Sequence, residues 1–272
     1  MQNLLILPKK SLGQNFLRDE NIARKIVSAI RPDKQDQIVE IGPGFGILTK
    51  YLIESGAKVI AVEIDHNLAE LLAQKYRDRD NFRLLCGDIL KLPMDTVLPA
   101  GGRCKLLGNL PYHITSPVLF RIFEHRQFFS EAVFMVQKEV AQRIVAPAGS
   151  KVYGILSVFS QYHAELTKLF EVSPRVFYPP PEVTSALVKW KFKSQIPLSA
   201  SDQKLFRALV KQVFSQRRKM LRNSLRQIND LTVDWSALSI DFEKRPEQLT
   251  VKEFVELTRQ VAAQLIDQTS EF

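Results

Sequence analysis

Four consecutive residues, Asn109-Leu110-Pro111-Tyr112, carry the most specific chemistry in this 272-residue chain. An Asn carboxamide presents an acceptor oxygen, and the residue before a proline is pushed toward extended backbone. Pro111 lacks an N–H and holds its own φ, so the Leu110 carbonyl can face a ligand. Two acceptors set this way could hold both hydrogens of an exocyclic amine such as adenine N6, whose lone pair is delocalised into the ring. Held so, the lone pair turns toward an electrophile, and a methyl group on a sulfonium requires no strong base. Tyr112 adds a ring on which a base can stack, worth about 1–3 kcal/mol per base in single-strand binders.

Such a group needs a strand to carry it and a pocket beside it. Gln37–Ile41 reads as a strand that ends in the glycine turn Gly42-Pro43-Gly44-Phe45-Gly46. Glycine at a strand-to-helix junction lets backbone approach a ligand without a Cβ in the way. The spacing is G-x-G-x-G, with Ile47 where the dinucleotide fingerprint would have its last glycine or alanine. Glu63 ends the second strand about 20 residues on, where an acid accepts hydrogen bonds from ribose hydroxyls. Gly87-Asp88 follows the third strand and Asn109 the fourth. Glycine or polar positions at four successive strand ends are what a ligand crevice in an open α/β sheet requires. On that reading Asp88 contacts an adenine amino group.

The elements alternate accordingly. Asp19 looks like an N-cap for an amphipathic helix to about Ile30. Strands are expected at Gln37–Ile41, Lys58–Val62, Phe82–Cys86, Arg103–Leu107 and Ala132–Val136, with helices to about Glu54, at His66–Tyr76 and at Ser116–Phe123. That alternation predicts a parallel sheet covered on both faces. Glu165–Val172 and Ser185–Phe192 read as two more strands, separated by Pro179-Pro180-Pro181. Helical segments are expected near 202–214, 217–227 and 250–266. The resulting division is residues 1–193 as an α/β catalytic domain, 194–201 as a linker, and 202–272 as a small helical domain.

Composition narrows the class. Hydrophobic residues make up 45% of the chain, ample for a core. Cys86 and Cys104 sit in apolar segments without Cys or His companions, so neither a disulfide framework nor a zinc site is expected; the metal content is read as none. The apolar run Leu4–Leu7 is too short for a signal peptide, and a cytoplasmic location without a membrane partner is expected. Net charge is +9, which favours a polyanionic partner. Eight basic residues and no acidic ones lie between Lys204 and Arg226. Alone, that run also fits a solvated helix face.

Seven segments together resemble the bacterial small-subunit rRNA adenine N6,N6-dimethyltransferase family, cousins of which include the macrolide-resistance rRNA methyltransferases. They are Pro8–Leu17 (PKKSLGQNFL), Glu40–Thr49 (EIGPGFGILT), Val62–Asp65 (VEID), Gly87-Asp88, Asn109–Tyr112 (NLPY), Phe177–Ser185 (FYPPPEVTS) and Phe214–Leu225 (FSQRRKMLRNSL). The resemblance implies a Rossmann-like S-adenosylmethionine-dependent methyltransferase fold, with a mostly parallel seven-stranded sheet and a helical C-terminal domain. It implies S-adenosylmethionine as cofactor, held by Asn15, Leu17, Gly42, Gly44, Glu63, Asp88 and Asn109. The reaction site would be Asn109, Leu110, Pro111, Tyr112 and Phe177, the last stacking on the target adenine. Read on its own, Phe177 is more often a core residue. Arg217, Arg218, Lys219 and Arg222 would contact rRNA, and the partner would be the small ribosomal subunit, met by a monomer.

The implied activity is transfer of methyl groups to N6 of two adjacent adenosines in the 3′-terminal hairpin loop of small-subunit rRNA. His113 stands where many members carry Asn and is given no catalytic duty. Glu182 stands where a basic residue is common, against a phosphate contact there. A large-subunit enzyme of the resistance type would more often read Asn-Ile-Pro-Tyr. An RNA-binding assembly factor would have no need for intact Gly42, Glu63, Asp88 and Asn109, and the glycine spacing disfavours a dehydrogenase.

Overall fold

A computed structural model describes residues 7–98, 102–225 and 233–269. Residues 4–6 of the short apolar run, Arg226 of the basic run and the end of the helix expected over 217–227 lie outside the described residues. Two compact units divide the chain: an α/β unit running to Ala141 and again over Ala164–Lys193, and a helical unit of Gln142–His163 with the chain from Ser194 onward. Segment 142–163, placed by the sequence reading within the domain of residues 1–193, therefore groups with the helical unit. The expected linker, 194–201, ends inside a helix that begins at Ala200.

The first helix, α1 (Glu20–Ile30), is opened by Asp19, whose carboxylate accepts the N–H groups of Asn21 and Ile22 at 2.9 Å each. Those donors have no partner within the helix, and a cap of this kind is worth about 1 kcal/mol. Ala23, Ile26, Val27 and Ile30 fall on one buried face. The chain then alternates: β1 (Gln37–Ile41), α2 (Ile47–Glu54), β2 (Lys58–Glu63), α3 (His66–Lys75), β3 (Phe82–Cys86), the single turn α4 (Met94–Val97), β4 (Cys104–Asn109), α5 (Thr115–Glu124) and β5 (Phe129–Gln137). After β5 come α6 (Lys138–Val145), α7 (Ile155–His163), β6 (Ala164–Val172) and β7 (Ser185–Phe192).

The seven strands form one sheet in the order β3-β2-β1-β4-β5-β7-β6. β1 to β5 pair in parallel, while β7 runs antiparallel to both β5 and β6. The central strands are buried along most of their length, as in Ile38–Ile41 and Val59–Glu63, which is why they read as apolar runs rather than alternating ones. Ile26, Ile38, Leu52, Leu72, Leu107 and Leu187 share the core cluster of this unit.

Strand order reverses between β1 and β4, so the chain leaves their carboxyl ends in opposite directions and a crevice opens there. One glycine makes the close packing of these two strands possible. A Cβ added to Gly108 would lie 2.5 Å from the carbonyl oxygen of Ile41. A further, very short antiparallel pairing joins Phe16 to Tyr178 and Leu17 to Phe177. It ties the N-terminal segment to the chain before the proline run.

Within the helical unit α7 packs with α8 (Ala200–Ser215) and α10 (Val251–Thr269), and the short α9 (Leu221–Leu225) packs on α8. Aromatic rings make its core: Tyr162 stacks on Phe206 at 4.4 Å, and Phe214 lies 5.9 Å from Phe254. No helix of the described residues is long and apolar enough to cross a membrane.

Candidate active site

One cleft lies along the carboxyl ends of β1, β2, β3 and β4. Its lining includes Asn15, Gly42, Gly44, Glu63, Asp88 and the whole of Asn109–Tyr112. Nine residues singled out in the sequence for cofactor or substrate thus meet around one space. Leu17 and Phe177 are not brought to it. They are 7% and 4% exposed and belong to the core cluster. Side chains on a strand alternate between faces, and this pairing turns Leu17 and Phe177 inward. In this arrangement the Phe177 ring is packed in the core, as the residue read on its own suggested.

Glu63 ends β2 at 4% exposure. Its two carboxylate oxygens accept the Gly44 N–H at 3.0 Å and the Asp65 N–H at 2.9 Å. Burial pushes its carboxyl above the ordinary range, opposed by the N–H groups of Asp65, Gly44 and Ile64. Each oxygen keeps a second lone pair for a hydroxyl donor. Asp88 uses Oδ1 to accept the Leu90 N–H at 2.9 Å, an Asx turn that fixes the carboxyl at the mouth of β3. Turn-forming and ligand-facing roles coincide in this residue.

Asn109 is the last residue of β4, and its carboxamide Nδ2 donates to the Asn15 carbonyl at 3.0 Å. That acceptor decides the orientation of the amide, since an oxygen there would face an oxygen. Oδ1 therefore points away from the N-terminal segment. Pro111 has φ −56°, and the single 3-10 turn Tyr112–Ile114 starts directly after it. The Tyr112 hydroxyl shares a 2.7 Å hydrogen bond with the buried hydroxyl of Ser185, at the start of β7. This bond sets the ring's position. Burial raises the Tyr112 phenol, and the Ser185 bond lowers it in part.

The N-terminal segment is held over the site by contacts that the sequence did not reveal. The Lys9 ammonium and the Gln14 side-chain amide donate to the two oxygens of Asp65 at 2.8 and 3.1 Å. Asp65 also N-caps α3 through the Asn67 N–H. Burial would raise its carboxyl, but Lys9, Gln14 and the Asn67 N–H together hold it below the ordinary range. Phe16 rests on the glycine turn: a Cβ on Gly44, whose φ is +59°, would come within 3.0 Å of its ring. Ile64 and Ile89 supply apolar walls that were also missed. A signal for them existed, since each acid at a strand end is followed directly by isoleucine.

Beneath the glycine turn lies Glu40, 1% exposed, with Oε2 accepting the Thr49 hydroxyl at 2.7 Å and no partner on Oε1. Burial pushes its carboxyl up to about 7; the Thr49 hydroxyl opposes this and Glu63 adds to it. Between 4.5, its ordinary value, and about 7 the folded chain keeps a proton that the unfolded chain has released. Its contribution to stability is thus full below 4.5 and is lost as pH rises through about 7. Glu40→Gln removes that dependence. The variant is expected to match the wild type near about pH 5 and exceed it near about pH 8 in denaturant midpoint.

Among the described residues no group of three or more His, Cys, Asp or Glu is placed to hold a metal ion. The basic residues of the helical unit separate into two kinds. Arg217 pairs with Glu247 at 2.7 Å and donates to the Lys151 carbonyl, and Arg222 pairs with Glu243 at 2.7 Å. Arg218 and Lys219 are exposed.

The family model described as ribosomal RNA adenine dimethylase matches residues 7–263. The chain belongs to the ribosomal RNA adenine dimethylase family. Relatives named "Ribosomal RNA small subunit methyltransferase A" include one from Pseudomonas fluorescens, 39% identical with 94% of each chain covered. The one from Parabacteroides distasonis is 42% identical over 93% of this chain and 94% of its own. The one from Francisella tularensis subsp. tularensis is 43% identical over 92% of this chain and 95% of its own. Among solved structures, a dimethyladenosine transferase from Plasmodium falciparum superposes with a TM-score of 0.76 at 28% identity, covering 89% of this chain and 95% of that one. The 23S rRNA methyltransferase ErmE shares the fold, with a TM-score of 0.68 at 22% identity over 91% of this chain and all of that one.

Proposed function

We propose that this member of the family is a cytoplasmic enzyme that dimethylates N6 of two adjacent adenosines in the 3′-terminal hairpin loop of small-subunit rRNA, using S-adenosylmethionine, during ribosome biogenesis. The observation that carries the proposal is the orientation of Asn109. With Nδ2 engaged by the Asn15 carbonyl, Oδ1 is left as an acceptor in the cleft beside Leu110, Pro111 and Tyr112.

The residues fit the cofactor. Glu63 is an acceptor for sugar hydroxyls, Asp88 for an adenine amino group, and Ile64 and Ile89 are walls for a flat ring. Gly42 and Gly44 line the same cleft without a side chain. When bound, S-adenosylmethionine supplies a methyl group on a positively charged sulfur. The chain's own part is to hold the amine. Asn109 Oδ1 and the Leu110 carbonyl accept the two N6 hydrogens, which turns the nitrogen lone pair out of conjugation. Tyr112, fixed by Ser185, carries the stacking, since Phe177 is turned inward. No covalent intermediate with the protein is required. A base in a loop is already unpaired, so it enters such a cleft at lower cost than a paired one.

On the helical unit Arg218 and Lys219 are proposed as phosphate contacts, while Arg217 and Arg222 act chiefly through Glu247 and Glu243. Replacing Arg218 and Lys219 by Gln is expected to weaken small-subunit binding and to reduce its salt slope by about 1–2. Melting temperature should not change. Arg217→Gln should instead lower it. An unchanged salt slope in the double variant would return these residues to a plain solvated face.

The functional proposal is tested by offering unmethylated small subunits, large subunits and naked rRNA with labelled S-adenosylmethionine. Label is expected in the small subunits. Label chiefly in the large subunits would favour the resistance-type activity, and label in neither would overturn the enzymatic reading.

A further inference from the structure

We propose that the outward face of the pairing between Phe16–Leu17 and Phe177–Tyr178 is a landing platform for a single-stranded RNA nucleotide next to the one in the cleft. The inference rests on the rRNA-methylating reading above and adds a binding site to it.

The alternation that buries Leu17 and Phe177 sends Phe16, Arg18 and Tyr178 the other way. Tyr178 is 44% exposed and Phe45 is 40% exposed, large values for aromatic side chains held in ordered structure. Phe16 joins the two. It pairs with Tyr178 across the ribbon and meets the Phe45 ring edge-on at 4.6 Å. Phe16 also lines the cleft. The aromatic surface therefore begins at the cleft wall and continues outward.

At its far side the guanidinium of Arg18 lies 3.9 Å from the centre of the Tyr178 ring, and Arg18 itself is exposed. A guanidinium over a ring gains from the ring's negative face and keeps its N–H donors free for an anion. Asp19, the acid beside it, turns Oδ1 to the N–H groups of Asn21 and Ile22 at the start of α1. Flat exposed rings with an unneutralised guanidinium suit an unstacked base and its phosphate.

The platform is also held still. Arg18 N–H donates to the Val176 carbonyl at 2.8 Å, and the segment before it is fixed to Asp65 by Lys9 and Gln14. The core of the unit gains little from Tyr178 at such exposure, and the contact its ring makes is with the Arg18 guanidinium, itself exposed, which leaves the ring's other face for a stacking base.

The test compares Tyr178→Ala, Tyr178→Phe and Arg18→Gln with the wild type. Methyl transfer to unmethylated small subunits is measured beside cofactor affinity and thermal unfolding. Tyr178→Ala is expected to raise KM for the subunit about tenfold or more, the size of one lost stacking contact, with kcat, cofactor affinity and melting temperature unchanged. Tyr178→Phe keeps the ring and should behave as wild type. Arg18→Gln should raise KM and reduce the salt slope by about one.

A wild-type KM in Tyr178→Ala would overturn the platform. So would a cofactor affinity or melting temperature that fell in step with it, since the ring would then be structural. Binding of a labelled single-stranded oligoribonucleotide separates the two proposals. If the wild type methylates no small subunits, the functional reading fails alone, and the platform stands only if Tyr178→Ala still weakens oligoribonucleotide binding.

Discussion

Asn109→Ala is expected to lower methyl transfer to small subunits by about 100- to 1,000-fold, the usual cost of removing one preorganised polar partner of a reacting group. Subunit affinity should hardly change, because the basic residues of the helical unit are untouched. The size of the effect follows from Asn109 having two jobs. Oδ1 is one of two acceptors for the amine, and Nδ2 holds the Asn15 carbonyl and with it the N-terminal segment. Asn109→Asp separates these. It keeps an acceptor for the amine but sets an oxygen against the Asn15 carbonyl, so it should lose cofactor affinity as well as rate. Single-turnover rates with saturating cofactor, beside cofactor binding by calorimetry, read the two jobs apart. Undiminished turnover in Asn109→Ala would remove the assigned mechanism.

Glu63→Ala is expected to weaken S-adenosylmethionine binding by about 100-fold or more. A hydrogen bond to a charged acceptor contributes about 1.5–3 kcal/mol, and two sugar hydroxyls would lose theirs. The substitution also strips the buried Gly44 and Asp65 N–H groups of their acceptor. Each such orphan costs about 1–3 kcal/mol, so a fall in melting temperature should accompany the loss of affinity. Glu63→Gln keeps one acceptor oxygen and should fall between. Calorimetric titration checks the affinity, and an unchanged Kd would move the sugar contact to another residue.

The strand ends were the legible part of this molecule. Ile41 and Cys86 close β1 and β3 where expected, while β2 and β4 run one and two residues past the expected Val62 and Leu107, to Glu63 and Asn109; buried parallel strands write themselves as continuous hydrophobic segments. Order within the sheet was not legible. Nothing local in Ser185–Phe192 says that it inserts antiparallel between β5 and β6. Helix α6 escaped because it is only eight residues long, although its apolar residues do fall at helical spacing, and α7 because Ile155–His163 is as rich in aromatic and β-branched residues as a strand.

Phe177 shows a different limit. Whether it or Tyr178 faces outward depends on the phase of a two-residue pairing with a segment far away in sequence, and a one-residue change of register exchanges the faces. The resemblance pointed to Phe177 as a stacking ring, whereas the geometry leaves Tyr112 and Tyr178 with accessible rings. The hold of Lys9 and Gln14 on Asp65 was likewise invisible, because a basic arm and a helix cap each look complete on their own.

The central claim is that Asn109 and its neighbours methylate adenine N6 in small-subunit rRNA. Its most direct test is to digest rRNA from unmethylated small subunits treated with the enzyme and S-adenosylmethionine, identify the modified nucleoside by mass spectrometry, and map it by primer extension. The predicted result is N6,N6-dimethyladenosine at two adjacent positions in the 3′-terminal hairpin loop. Methylation of another atom, or of adenosines elsewhere in the RNA, would contradict it.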